Sequence, residues 1–176
     1  MRGVYRLQDR AFRPWKNGGG TTAEILAAPA GAGLETFDWR VSTAVVASDG
    51  PFSIFPGVDR VLCVIEGGAL DLAIMGQGTR LDAESAPFAF AGDVPCAARV
   101  TGGPVLDFNV MTRRPLRPEV TRGPLTARTG GLARLALLLE PCAGLERLDL
   151  VDLGACDPAL SEALTGARAL QVTIRG

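Results

Sequence analysis

Histidine is absent from the 176 residues. Its absence excludes imidazole general bases, Ser-His-Asp and Cys-His nucleophile systems, and every metal site built on imidazole. Any catalysis then falls to carboxylates, Lys16, Tyr5 or a thiol. An excess of one charge is also missing. With 18 basic residues against 19 acidic ones the net charge is -1, which gives no footprint for nucleic acid or a membrane surface. The 4 cysteines, Cys63, Cys96, Cys142 and Cys156, form no CxxC pair and read as reduced, mostly buried thiols. The most apolar stretch, Leu132 to Leu139, is interrupted by Arg134 and is far too short to span a bilayer. The opening "MRGVYRLQDRAFRPW" carries charges throughout, unlike a signal peptide, so a cytoplasmic protein is expected.

Glycine (22) and proline (12) are abundant, and 47% of residues are hydrophobic. That composition suits a buried core made of short strands and tight turns. Period-two alternation marks "TTAEILAA" (21–28), "WRVSTAVVA" (39–47), "RVLCVIEG" (60–67), "ALDLAI" (69–74) and "VLDFNVM" (105–111) as strands. Past Arg113 a Pro-rich stretch leads into a second half, with strands expected at about 118–128, 131–139, 145–153 and 168–175. "DPALSEALTGA" (157–167) is the helix candidate, with Asp157 as N-cap, Pro158 at the first helical position and Gly166 as stop. The fold class read from this pattern is all-β, an antiparallel sandwich or barrel with at most one or two short helices.

"WKNGGGTTAEI" (15–25) invites a phosphate-loop reading, because a lysine adjoins three glycines. The order is wrong: a phosphate loop carries its Lys after the last glycine and leads into a helix. Here Lys16 precedes the glycines and a strand pattern follows. The glycines serve a turn or a close backbone approach, or a loop lining a pocket with Trp15, Asn17 and Thr21.

"GPFSIFPGVDRVLCVIEGG" (50–68) resembles the first cupin motif. Laid on it, Ser53 and Phe55 take the two His positions, Arg60 the Glu position and Gly67 that of the closing glycine, whereas Gly50 stands too close to Ser53 to match the opening one. "PFAFAGDVPCAARV" (87–100) resembles the second motif more faintly, with Pro95 or Cys96 near the last His position. A hydroxyl, a phenyl ring and a guanidinium in place of metal ligands reverse the chemistry. No metal is expected, and an anion is, because the arginine fork matches a carboxylate. Arg40 and Ser42 share one face of their strand, and Asp107, Asn109 and Met111 share one face of theirs. These residues face either solvent or a polar pocket.

"RPWKNGGGTTAEI", "FDWRVSTAVV", "GPFSIFPGVDRVLCVIEG" and "LDFNVMTRR" together resemble the HutD/Ves family. The resemblance implies a cupin-like fold of two fused barrels. Residues 1–114 would hold the first barrel with shared strands, and 115–176 the second, smaller half. It also implies a link to histidine utilisation, restrained through binding of a pathway acid such as urocanate, formiminoglutamate or formylglutamate. The ligand set then expected is Arg60 and Arg40 on a carboxylate, with Ser53, Thr21, Asn17, Asn109 and Asp107 as polar contacts and Trp15 or Phe55 over the planar part. No cofactor is implied, and a homodimer is compatible with this reading. Two alternatives stand beside it. One is a metal-independent isomerase or epimerase, for which Glu24 is the candidate base, with Asp107, Glu66 and Tyr5 as the other available groups. The other is a purely structural interaction module.

Overall fold

The alternation of "RVLCVIEG" and "ALDLAI" does not stop at the glycine pair between them. In the computed structural model, which describes residues 1–127 and 129–176, the two run on as a single strand, Val58–Ile74. Gly67 takes a φ of 94°, and the register slips between Gly67 and Ala69. The pair that looks like a turn signal is therefore a bulge inside a long strand, with glycine supplying the positive φ.

The chain divides into two compact units, Ala11–Leu116 and Met1–Arg10 with Arg117–Gly176. Numbered along the chain, the first of these units holds β2 (Arg13–Pro14), β3 (Gly20–Ala28), β4 (Trp39–Val46), β5 (Gly50–Pro51), β6 (Val58–Ile74), β7 (Gln77–Leu81), β8 (Phe88–Ala91) and β9 (Cys96–Arg113). They form one antiparallel sheet of order β2-β3-β4-β9-β6-β7, with β5 on β9 and β8 on β6. Its apolar cluster gathers Leu62, Val64, Leu70, Leu72 and Val105, with Trp15, Phe52, Phe88 and Phe90 packed against it.

The other unit pairs β1 (Val4–Tyr5), β12 (Leu150–Asp152), β11 (Ala133–Leu138), β13 (Arg168–Arg175) and β10 (Arg117–Pro124), in that order. Residues 1–10 belong here rather than with 11–116. Val4 and Tyr5 pair with β12, and buried Asp149 accepts from Arg6 Nη1 (2.9 Å) and the Leu7 amide (2.8 Å). The strand expected over 145–153 shrinks to Leu150–Asp152. The end of the one expected over 118–128 lies at residue 128, outside the described residues.

The helix, α1 (Pro158–Ala163), starts as its sequence requires. The Asp157 carboxylate accepts from the Ala159 amide at 2.8 Å, and Pro158 opens the first turn. Asp157→Ala is expected to cost about 1 kcal/mol and to lower Tm by about 2–4 °C in a thermal melt. Among the described residues no helix is long and apolar enough to cross a membrane. The architecture is all-β and antiparallel, with α1 as its one α-helix among the described residues.

Candidate functional site

Residues paired across neighbouring strands point to the same face of a sheet. The registers of β4, β9 and β6 therefore fix one polar face. Arg40, Met111 and Arg60 form one row, and β8 extends it with Phe90. Glu24, Ser42, Asn109 and Leu62 form the next row. Thr22, Ala44, Asp107 and Val64 form the third.

Arg60 sits at the centre and is only 7% exposed. Its guanidinium carbon lies 5.5 Å from the ring centroid of Phe52, 5.5 Å from that of Phe55 and 5.1 Å from that of Phe90. Such contacts with a desolvated cation are attractive. Its hydrogen bonds are long: Nε donates to Asn109 Oδ1 and Nη1 to the Ser53 carbonyl, each at 3.5 Å. Among the described residues no carboxylate comes within ion-pair distance of it. Burial lowers its proton affinity, opposed by the negative Asp107. Rings thus cage the cation, while its donor fork is left poorly used. The loop that carries two of the rings is held by backbone bonds from Phe52 N to Cys96 O (2.8 Å) and from Phe55 N to Gly92 O (2.8 Å). A Cβ on Gly92 would stand 2.8 Å from the Val58 carbonyl oxygen and 3.2 Å from Arg60 Cδ, so the bare glycine admits both the neighbouring backbone and the arginine stem.

The second arginine is engaged. Arg40 Nε donates to Glu24 Oε2 at 2.8 Å and Nη1 to Ser42 Oγ at 3.1 Å. Glu24 is itself 45% exposed at its side chain. Asp107 is the opposite case, 3% exposed, with Oδ1 buried and without a hydrogen-bond partner among the described residues. Burial pushes its carboxyl up to about 7, against the pull of the Arg60 cation and an amide hydrogen bond from Ala44. Cys96 is buried within the field of Arg60, and burial raises its thiol pKa.

Of the residues singled out in the sequence, the structure brings Arg60, Arg40, Asn109, Asp107, Phe55 and Glu24 onto this face or against it. Ser53 meets Arg60 through its carbonyl, while the residue as a whole is exposed. Asn17 and Thr21 do not join. Asn17 Oδ1 accepts from the Gly19 amide at 3.0 Å within its own loop, and Thr21, paired with Val45, faces the other side of the sheet. The neighbouring Thr22 lies on the polar face, and its hydroxyl accepts from Trp15 Nε1 at 2.7 Å. The glycine loop opens opposite Val46, at the far end of β4 from Arg40 and the Arg60 row. Sequence reasoning missed Phe52, Phe90 and Gly92. The signal was present in the two aromatics of "FAF" and in the glycine that follows them.

The donor set does not fit a divalent cation. Phenyl rings and a guanidinium stand where a metal would need imidazole or carboxylate, and the described residues hold no cluster of three metal-ligating side chains.

Known proteins resemble this chain over much of its length. The HutD family pattern covers residues 7–161. A Pseudomonas putida protein described as an uncharacterized 21.2 kDa protein in the hutC 3' region is 40% identical over 61% of this chain and 56% of its own. A protein named Ves from Citrobacter koseri is 42% identical over 57% of this chain and 52% of its own. The chain thus spans little more than half the length of these relatives. The solved structure of HutD from Pseudomonas fluorescens SBW25 superposes with a TM-score of 0.80 at 30% identity, over 99% of this chain and 98% of that one. A conserved protein of unknown function from Pseudomonas aeruginosa PAO1 gives 0.75 at 29% identity, over 99% and 93%. By the extent of the pattern and the superposition, the chain belongs to the HutD family.

Proposed function

We propose that this protein binds a small carboxylate at Arg60 and, through that binding, restrains histidine utilisation in the cytoplasm. The observation that carries the reading is the buried guanidinium, ringed by Phe52, Phe55 and Phe90 and without an ion-pair partner among the described residues. A buried cation is stable only when its charge is answered. Here an incoming carboxylate would supply that answer in the arginine's favoured bidentate geometry. The hutC 3' region in the Pseudomonas putida relative's description supports the pathway. Candidate ligands are urocanate, formiminoglutamate and formylglutamate.

Calorimetry with these acids tests the reading. Loss of a charge-assisted hydrogen bond costs about 1.5–3 kcal/mol, so Arg60→Ala is expected to weaken binding about ten- to a hundredfold. No heat with any acid, or an unchanged affinity in the variant, sinks the reading.

One observation favours a second, enzymatic reading. Asp107 is buried with a carboxyl near neutrality, as a general base requires, whereas Glu24 is half exposed and tied to Arg40. Exchange of a bound acid's C–H hydrogens in heavy water, abolished by Asp107→Asn, separates an enzyme from a binder.

A further inference from the structure

Asp107 has a fully buried acceptor that the described residues leave unused. Its Oδ1 has no partner, and its register neighbours on either side, Ala44 and Val64, offer no side-chain donor. Two residues along the same face stands Asn109, whose Oδ1 meets Arg60 Nε. That step is about 7 Å of strand, the span of a small molecule with a carboxylate at one end and a polar group a few bonds away. The other charged groups of the face do not compete, since Arg40 is held by Glu24 and Ser42. Cys96, buried in the field of Arg60, adds no fixed charge.

A buried acceptor without a donor is costly, and a ligand that brings the donor removes that cost on binding. A site of this kind strongly rejects analogues that lack the hydrogen-bonding group. We propose that Asp107 determines the specificity of the Arg60 site by accepting a hydrogen bond from an N–H of the ligand whose carboxylate Arg60 holds. The ligand class is then a carboxylate bearing an amide, amidine or azole N–H. This rests on the carboxylate reading of Arg60.

The test uses two pairs of acids that differ in that N–H. Urocanate is set against trans-3-(3-furyl)acrylate, and N-acetylglycine against its carba analogue 4-oxopentanoate, by calorimetry at pH 8 with the whole chain. In wild type the N–H member of a pair is expected to bind about ten- to a hundredfold tighter. Asp107→Asn turns an amide N–H toward the ligand and is expected to bring the ratio close to one, while the member without N–H still binds. Equal affinities within both pairs in wild type, or a ratio that survives in Asp107→Asn, overturns the role of Asp107 and leaves the Arg60 reading standing. If no member of either pair and none of the pathway acids binds, the Arg60 reading falls and this inference falls with it.

Discussion

Asp107→Asn is expected to make the protein more stable at pH 8, on the order of 4 kcal/mol, and to leave it nearly unchanged at pH 3.5. The carboxyl rises from an ordinary 3.8 to about 7 in the fold, and each unit is worth about 1.4 kcal/mol. Between those two values the folded chain keeps a proton that the unfolded chain has released. Stability from this group is therefore full below 3.8, declines as pH rises through the window, and is gone above about 7. Asn keeps the size of the protonated acid and never ionises, so its curve lacks that decline. Urea denaturation across pH 3.5 to 8 reads the difference directly. Parallel curves for the two proteins would mean that Asp107 is solvated or paired in solution.

Gly20→Ala is expected to destabilise the Ala11–Leu116 unit by about 3 kcal/mol and to release Trp15. A Cβ there would lie 2.3 Å from the Val45 carbonyl oxygen and 3.1 Å from two atoms of the Trp15 ring. The carbonyl is backbone and cannot swing aside, so either the β3–β4 pairing opens or the indole leaves. Trp15 is bound on three sides: its amide donates to the Gly20 carbonyl (2.9 Å), its own carbonyl accepts from Gly18 (3.0 Å), and its ring nitrogen reaches Thr22. Loss of this seat is read as a lower melting temperature and a red-shifted tryptophan emission. Wild-type values for both would show that the strand start tolerates a methyl group and that the glycine has no packing role.

The parts of the fold that depend on local pattern were legible. The Arg168–Arg175 strand and the start of α1 follow from alternation and from a cap, which are properties of neighbouring residues. Gly67 misled because a positive φ serves a bulge as well as a turn, and only the facing strand decides which. Residues 145–149 misled for a different reason. Asp149 spends its carboxylate on the amides of Leu7 and Glu146, which holds an irregular backbone where apolar alternation suggested a strand.

At the site, Arg60 was legible because the motif spacing located it. Its surroundings were not, since the rings arrive from separate segments. Phe90 comes by cross-strand register, and Phe52 by a loop anchored to Cys96. Thr21 and Thr22 differ only in which is even-numbered relative to Ser42. That parity is set by the register of β3 on β4, Thr22 against Ala44 and Thr21 against Val45, a tertiary event that composition does not announce.

The cation at the centre of this face is part of the polypeptide. A site built on a bound metal ion is filled or empty according to supply, and a chelator can strip it. Arg60 arrives with translation, caged by three rings, and cannot be removed or exchanged for a competing ion. On the carboxylate proposal, occupancy of the site would therefore be governed by one concentration alone, that of the anion.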